Sequence, residues 1–282
     1  MDKPTPATND MVKAPGRPSA APTAKLLPAE RIWELDFVRG FCVLLMICDH
    51  VLFDLGFVFL SSWFPDGGSG VVYSLCHFCR YVYWDHPLRL VVHFLVIAGF
   101  IASCGISCSF SRSNVKRGLR LLLVAVVISG VTWLMDSLLH TNAFFIRFGV
   151  LHMLAISILV YSALRPLGLW PSLLGGVAVV IAGWCIDPSA SASTGFIPFA
   201  LGLTDKLPSG DYFPLIPWLG WLLIGAALGA ILYKNRRSFF PGKGKAPALR
   251  PILWMGRHAL LVYIIHQPVI YGFLFLLGLI FG

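Results

Sequence analysis

Long apolar runs alternate with short polar segments through most of this chain, beginning after residue 30. A helix needs about 20 predominantly apolar residues to cross a bilayer, and most of these runs are near that length. The pattern therefore predicts an all-α bundle of about seven membrane-spanning helices. They are expected at residues 41–60, 88–110, 119–140, 148–164, 169–186, 215–233 and 258–281.

Composition favours a membrane protein over a soluble one. The chain has 282 residues, of which 57% are hydrophobic and 12% are charged, whereas a soluble domain carries about 25% charged residues. Residues 1–30 differ from the rest because they are rich in Pro, Ala, Thr and Lys and lack apolar periodicity, which predicts a disordered tail. The chain thus divides into a tail, 1–30, and a transmembrane domain, 31–282.

The distribution of charge predicts how the bundle is oriented. The formal net charge is +9, and the basic residues cluster in the tail and in loops 111–120 and 234–250. Cytoplasmic loops carry an excess of Lys and Arg, so the tail and both basic loops are predicted to be cytoplasmic and the C-terminus to lie outside. The orientation of the protein in the membrane therefore explains the excess of basic residues better than nucleic-acid binding does. The expected partner is the lipid bilayer.

The first span carries four ionisable residues on one face: Asp36, Arg39, His50 and Asp54. Arg39 and His50 are about three helical turns apart, and the two carboxylates flank them. At about 1.5 Å per residue, His50 lies roughly 16 Å beyond Arg39, near the bilayer midplane if Arg39 marks the cytoplasmic interface. An ionisable residue at that depth is costly and usually marks a functional cavity.

Other interpretations of this stripe stay open. Asp36 and Arg39 can form an interfacial ion pair, and His50 can be a polar bridge between helices. The same stripe also suits a proton relay, so a proton-coupled transporter is the alternative function. No internal repeat supports a transporter.

Several motifs resemble those of a family of membrane acyltransferases. The opening Leu35-Asp36-Phe-Val-Arg39-Gly40, followed by His50 eleven residues after the arginine, is similar to the first helix of that broad group. The closer resemblance is to the bacterial branch related to heparan-α-glucosaminide N-acetyltransferase. Further matching segments follow in order at residues 105–118, 148–152, 212–220 and 256–268.

The resemblance implies transfer of an acetyl group from cytoplasmic acetyl-CoA to an amine or hydroxyl of an external glycan-type acceptor. It also implies a bacterial cytoplasmic (inner) membrane. On this basis His50 is the expected acyl-transfer residue, Asp54 supports its imidazole, and Asp36 completes the catalytic stripe. Cationic side chains suit the phosphates of coenzyme A. Those expected to bind the donor are Arg39, Arg112, Lys116 and Arg117.

The resemblance also nominates a second histidine. The lysosomal enzyme has no His at the place of His50, and its catalytic His lies in the lumenal loop after the first helix. The corresponding loop here holds His77 and His86, with His93 just inside the next span, and His86 is the second choice. The sequence does not separate direct transfer from an acetyl-histidine intermediate.

Acceptor contacts are expected in the outer loop, residues 61–87, which is rich in Trp and Tyr. Trp84 and Asp85 are the candidates for contact with a sugar, and His266 and Gln267 in the last span are candidates for lining the same cavity. No HExxH motif or paired CxxC set occurs, so no metal is expected. A homo-oligomer is compatible with the sequence.

Overall fold

The helix that carries the charged stripe is longer than its apolar run. In the computed structural model, which describes residues 32–141 and 143–281, α1 (Trp33–Phe53) continues through a π-helical segment (Asp54–Phe59) into α2 (Leu60–Trp63). Together these three segments form a rod of 31 residues. The rod begins before residue 41 because its charged first turns pair with neighbouring helices. The predicted tail, residues 1–30, lies outside the described residues.

Helices also build the rest of the membrane domain. After the rod, α3 (Val71–Phe78) ends in a second π-helical segment (Cys79–Tyr83). The remaining helices are α4 (Pro87–Ser109), α5 (Asn114–Leu139), α6 (Val150–Leu164), α7 (Leu169–Cys185), α8 (Phe196–Leu201), α9 (Leu215–Leu232), α10 (Arg250–Arg257) and α11 (Ala259–Phe281). Residues 32–141 and 143–281 contain no β-strand, which confirms the predicted all-α class.

The lengths of these helices make the protein an integral membrane protein. Six helical segments of the described chain are long and apolar enough to cross a bilayer: the rod, α4, α5, α6 with its 3-10 extension, α9 and α11. The predicted fifth span is present as α7, which has 17 residues and is shorter than the roughly 20 that a bilayer requires. The count of seven and the orientation therefore stay predictions.

Glycine allows the helices around α1 to approach one another backbone to backbone. A Cβ on Gly105 of α4 would overlap the Leu222 carbonyl of α9, and a Cβ on Gly256 of α10 would overlap the Asp36 carbonyl of α1. Small residues at such crossings let membrane helices gain van der Waals contact. These close contacts fix α10 against α1 and α9 against α4.

Two of the apolar clusters formed by the described residues hold the helices of the site together. The larger lies between α4, α6 and α9, where Ile101, Met153 and Leu222 are buried. The smaller joins the end of the rod to α3 and α11, and Phe59 and Ile270 belong to it. This second cluster holds the rod beside α11, the helix that carries His266 and Gln267.

Candidate active site

The N-terminal end of α1 carries an ion-pair network. Asp36 is 3% exposed, and its carboxylate lies 3.7 Å from Nη1 of Arg39 and 3.6 Å from Nε of Arg257. Arg39 Nη2 donates to the Ser103 carbonyl at 3.1 Å and to the Ser107 hydroxyl. The ion pair between Asp36 and Arg39, which the sequence left open as an alternative, is present, and the network links α1 to α4 and α10.

Three turns further along α1, His50 meets His266 of α11. The two ring centroids are 4.8 Å apart, and the ring planes lie at 86°. Nδ1 of His50 is 2.9 Å from the Met46 carbonyl oxygen, and Nδ1 of His266 is 2.6 Å from the Tyr263 carbonyl oxygen. Nε2 of His266 is buried and has no hydrogen-bond partner among the described residues.

Asp54 and Gln267 form a second link between the rod and α11. Asp54 is fully buried and begins the π-helical segment, a local widening that is frequent at functional sites. Nε2 of Gln267 donates to both carboxylate oxygens of Asp54, at 2.9 and 3.0 Å. The four residues of the predicted stripe thus divide into an ion pair near the start of α1 and a His50–Asp54 group against α11.

Asp211 extends the polar group toward α6. Its Oδ2 accepts hydrogen bonds from the Tyr263 hydroxyl at 2.9 Å and from the Val150 main-chain N–H at 3.1 Å. Burial raises the pKa of Asp211, which lies in the loop before α9. The Tyr263 ring is 5.7 Å from that of His266, so a polar path runs from Asp211 through Tyr263 to the histidine pair.

A partly buried network around Asp49 was not expected from the sequence. The Asp49 carboxylate accepts hydrogen bonds from Arg89 at 2.6 and 3.0 Å and from the Tyr83 hydroxyl at 2.8 Å. Nδ1 of His93 lies 3.3 Å from the same carboxylate. The signal was present in the sequence, because an acid and a base in adjacent apolar runs usually pair.

The loop candidates lie beside the start of α4 and the end of α1. His86 caps α4, since its Nδ1 accepts a hydrogen bond from the Leu88 N–H at 3.2 Å. Trp84 lies beneath the Arg89 guanidinium, whose central carbon is 3.9 Å from the ring centroid, and Phe53 packs beside it at 5.1 Å. Asp85 is exposed. The roles predicted for His86, Trp84 and Asp85 stay predictions.

The cations predicted to bind the donor occupy different environments. Arg112 and Lys116 are exposed, and Arg117 is partly buried with Nη1 3.8 Å from the Cys108 sulfur. Arg165, which was not expected from the sequence, joins this side of the bundle by donating to the Ser111 carbonyl at 2.8 Å.

These features define a helical integral membrane protein with a buried acid–base group between its first and last spans. The family described as "Heparan-alpha-glucosaminide N-acetyltransferase, catalytic" matches residues 31–268, and the chain belongs to that family. The predicted resemblance to this family is thereby confirmed, and the protein is a membrane acyltransferase by family. No curated protein and no solved structure matches the chain.

Proposed function

We propose that this protein moves an acetyl group from cytoplasmic acetyl-CoA to an amine or hydroxyl of a glycan-type acceptor outside a bacterial inner membrane. The observation that carries the proposal is the His50–His266 pair, in which two imidazoles meet between membrane-spanning helices. Family membership supplies the class of reaction. The pair supplies the base that this reaction needs.

The hydrogen bonds of the two histidines define which nitrogen is basic. A carbonyl oxygen accepts but cannot donate, so Nδ1 carries the proton in each neutral ring and Nε2 carries the lone pair. For His266 that lone pair has no partner in residues 32–141 and 143–281. A neutral imidazole with an available lone pair is the usual general base for acyl transfer.

In direct transfer, an imidazole Nε2 takes the proton from the acceptor N–H or O–H as the acceptor atom bonds to the acetyl carbonyl carbon. The C–S bond breaks, and the departing thiolate receives that proton from the imidazolium. In the second route, Nε2 of His50 attacks the carbonyl carbon first, the C–S bond breaks to release the coenzyme A thiolate, and His50 carries the acetyl group. His266 then takes the acceptor proton as the acceptor atom bonds to the acetyl carbon and the N–C bond to His50 breaks, and the thiolate receives that proton from His266. Asp54 stabilises the positive charge on His50 in either route.

The N-terminal end of α1 fits a polyanionic donor. Nε of Arg39 is buried and has no hydrogen-bond partner among the residues that the structure describes, so this guanidinium retains a donor for a phosphate. Planar guanidinium groups bind phosphate through two parallel hydrogen bonds. Arg39 would orient the donor, and the exposed cations Arg112 and Lys116, with the partly buried Arg117, would attract it from the cytoplasm.

A proton-coupled transporter is the competing function. The Asp49 network and the polar path from Asp211 are sites of the kind that a proton relay uses. Acetyl-CoA-dependent appearance of an acetylated product, without net substrate flux, supports the enzyme. Flux driven by a pH gradient in the absence of acetyl-CoA would contradict it.

The donor half of the proposal is tested by calorimetry of acetyl-CoA binding to the purified protein in detergent. We expect saturable binding to wild type and at least tenfold weaker binding to Arg39→Ala. Lys206→Ala, which removes an exposed cation predicted to lie on the outer side, is the control and should bind like wild type. Absence of binding to folded wild-type protein would contradict the proposal.

A further inference from the structure

The chain between α9 and α11 carries positive charge that the proposed chemistry does not use. Residues 234–257 form a basic segment with seven Lys or Arg residues and no Asp or Glu. Nε of Arg257 lies 3.6 Å from the Asp36 carboxylate. The other six are exposed and have no ion pair with any described residue: Lys234, Arg236, Arg237, Lys243, Lys245 and Arg250. Six unpaired cations on one connection form a surface that attracts anions.

Hydrogen bonds hold the basic segment at the level where two membrane helices end. The segment begins two residues after Leu232, the last residue of α9. Trp33 Nε1, in the first turn of α1, donates to the Phe240 carbonyl at 2.9 Å. The Phe240 N–H in turn donates to the Glu34 carboxylate at 3.1 Å. The end of α9 and the start of α1 therefore meet at this segment.

The length of the rod places this level among the lipid headgroups. The rod starts at Trp33, and its 31 residues extend about 46 Å at about 1.5 Å per residue. A bilayer with its headgroups is about 40–45 Å thick. The first turn of the rod, and the basic segment bonded to it, therefore lie at the headgroup surface rather than in the hydrocarbon core.

Two exposed phenylalanines lie among the cations. Phe239 is 54% exposed and Phe240 is 52% exposed. Arg236 and Arg237 precede the two rings in the chain, and Lys243 follows them with its Nζ 5.2 Å from the Phe240 centroid. Segments that bind membrane surfaces combine cations with aromatic rings that enter the boundary between headgroups and acyl chains. A soluble anion would leave both rings in water, so this combination favours a lipid ligand.

We propose that the basic segment binds anionic phospholipid headgroups of the leaflet at which α9 ends, with Phe239 and Phe240 entering the acyl boundary. Four to eight Lys or Arg residues directly beside a membrane helix are typical of anionic lipid binding. The proposal is independent of acetyl transfer, because neither the donor nor the acceptor takes part. Bound lipid would also hold Trp33 and Glu34, and with them the start of the helix that carries Arg39.

Native mass spectrometry of the full chain in detergent tests this proposal by titration with dioleoyl phosphatidylglycerol or dioleoyl phosphatidylcholine. The two lipids have the same acyl chains and differ in headgroup charge. We expect tighter binding of phosphatidylglycerol. Lys243→Gln/Lys245→Gln should weaken that binding at least tenfold, since each cation near an anionic surface contributes about fivefold. The affinity for phosphatidylcholine should not change.

A matched pair of single variants makes the result specific. Lys243→Gln and Lys206→Gln each remove one exposed lysine, and only the first lies in the basic segment. We expect Lys243→Gln to weaken phosphatidylglycerol binding about fivefold and Lys206→Gln to leave it unchanged. Equal binding of the two lipids to wild type overturns the proposal, and so does equal phosphatidylglycerol binding by the two variants.

Competition separates a lipid surface from a site for a soluble phosphate or for the proposed donor. Glycerol 3-phosphate carries the charged part of the headgroup without acyl chains, and acetyl-CoA is the proposed donor. We expect neither to displace bound phosphatidylglycerol at a large molar excess. Displacement by glycerol 3-phosphate would assign the cations to a soluble phosphate, and displacement by acetyl-CoA would assign them to the donor. Either result overturns the lipid proposal.

Discussion

His50 of α1 and His266 of α11 meet edge to face, with ring centroids 4.8 Å apart. Their positions differ by most of the length of the chain, so only the packing of the first span against the last brings them together. Each ring is held by a main-chain carbonyl of its own helix. The pair is therefore preorganised by two helices rather than by a flexible loop.

If the two histidines act as a unit, the rate losses caused by removing each of them do not combine in the double variant. His266→Ala should lower the acetyl-transfer rate by about 10²–10⁴-fold, as removal of a general base does. The double variant His50→Ala/His266→Ala should be no slower than the slower single variant. Steady-state rates of the three variants in proteoliposomes test this. Rate losses that multiply in the double variant would show two independent roles.

Gln267 is expected to stabilise the protein by donating hydrogen bonds to the buried carboxylate of Asp54. Gln267→Leu leaves a fully buried carboxylate without its two hydrogen bonds, at a cost of about 1–3 kcal/mol. Asp54→Leu/Gln267→Leu should recover most of that loss because neither polar group is then left alone. Unfolding by titration with SDS measures both variants, and equal destabilisation of the two would contradict the pairing.

The Asp49–Arg89 pair should contribute more to the free energy of unfolding than an exposed ion pair does. Arg89→Leu leaves Asp49 without its cation in a membrane-spanning helix, which is expected to cost about 3–5 kcal/mol. Asp49→Leu/Arg89→Leu should be more stable than Arg89→Leu. Lys206→Leu breaks the exposed pair with Asp205 and should change the free energy of unfolding by less than about 1 kcal/mol. Similar effects of Arg89→Leu and Lys206→Leu would argue against a structural role for Asp49.

The helices were predictable from the sequence because a long apolar run that crosses a membrane has few structural alternatives to a helix. The predicted spans 88–110, 215–233 and 258–281 end within about one residue of α4, α9 and α11. The first helix extends beyond the predicted span, 41–60, at both ends, and its charged first turns are stabilised by Arg257 and Ser107 on other helices. Local hydropathy contains no information about those distant partners.

The candidate site was predictable only in part, for the same reason. The stripe on the first span identified His50 and Asp54 as unusual residues at membrane depth, and a motif in the last span identified His266 and Gln267. Their pairing across the bundle was not deducible from spacing within either helix. Asp49 was overlooked because it lies on another face of the same helix, toward Arg89 of α4.

Backbone contact between α1 and α10 gives a test of the fold. Gly256→Ala places a methyl group against the Asp36 carbonyl, so the two helices must separate and the Asp36–Arg257 contact must lengthen. We expect a loss of stability of about 1–3 kcal/mol, as in other overpacked cores, and it should appear as a marked fall in melting temperature. Gly130→Ala is the control because a Cβ there meets no atom within 4 Å. Equal melting temperatures for the two variants would contradict the packing.

The buried carboxyl of Asp211 predicts a pH dependence of stability. Burial raises its pKa in the folded protein, so folding favours the protonated form. The stability that the protonated carboxyl contributes is complete below its pKa in the unfolded protein, about 3.9. This stability is lost as pH rises through the raised pKa of the folded protein. The melting temperature of wild type should therefore fall relative to that of Asp211→Asn as pH increases from 4 to 8. Parallel curves for the two proteins would contradict this account.

The most direct test of the central claim is acetyl transfer by His50→Ala, measured by mass spectrometry of an amine-bearing sugar, glucosamine, and a neutral hydroxyl sugar, glucose. His258→Ala is a matched control, because Nδ1 of His258 makes the same 2.9 Å contact with the carbonyl four residues earlier but belongs to no histidine pair. We expect wild type and His258→Ala to acetylate at least one sugar in an acetyl-CoA-dependent manner, and folded His50→Ala to form no detectable product. Full activity of His50→Ala would contradict the assignment of the acyl-transfer step to this histidine.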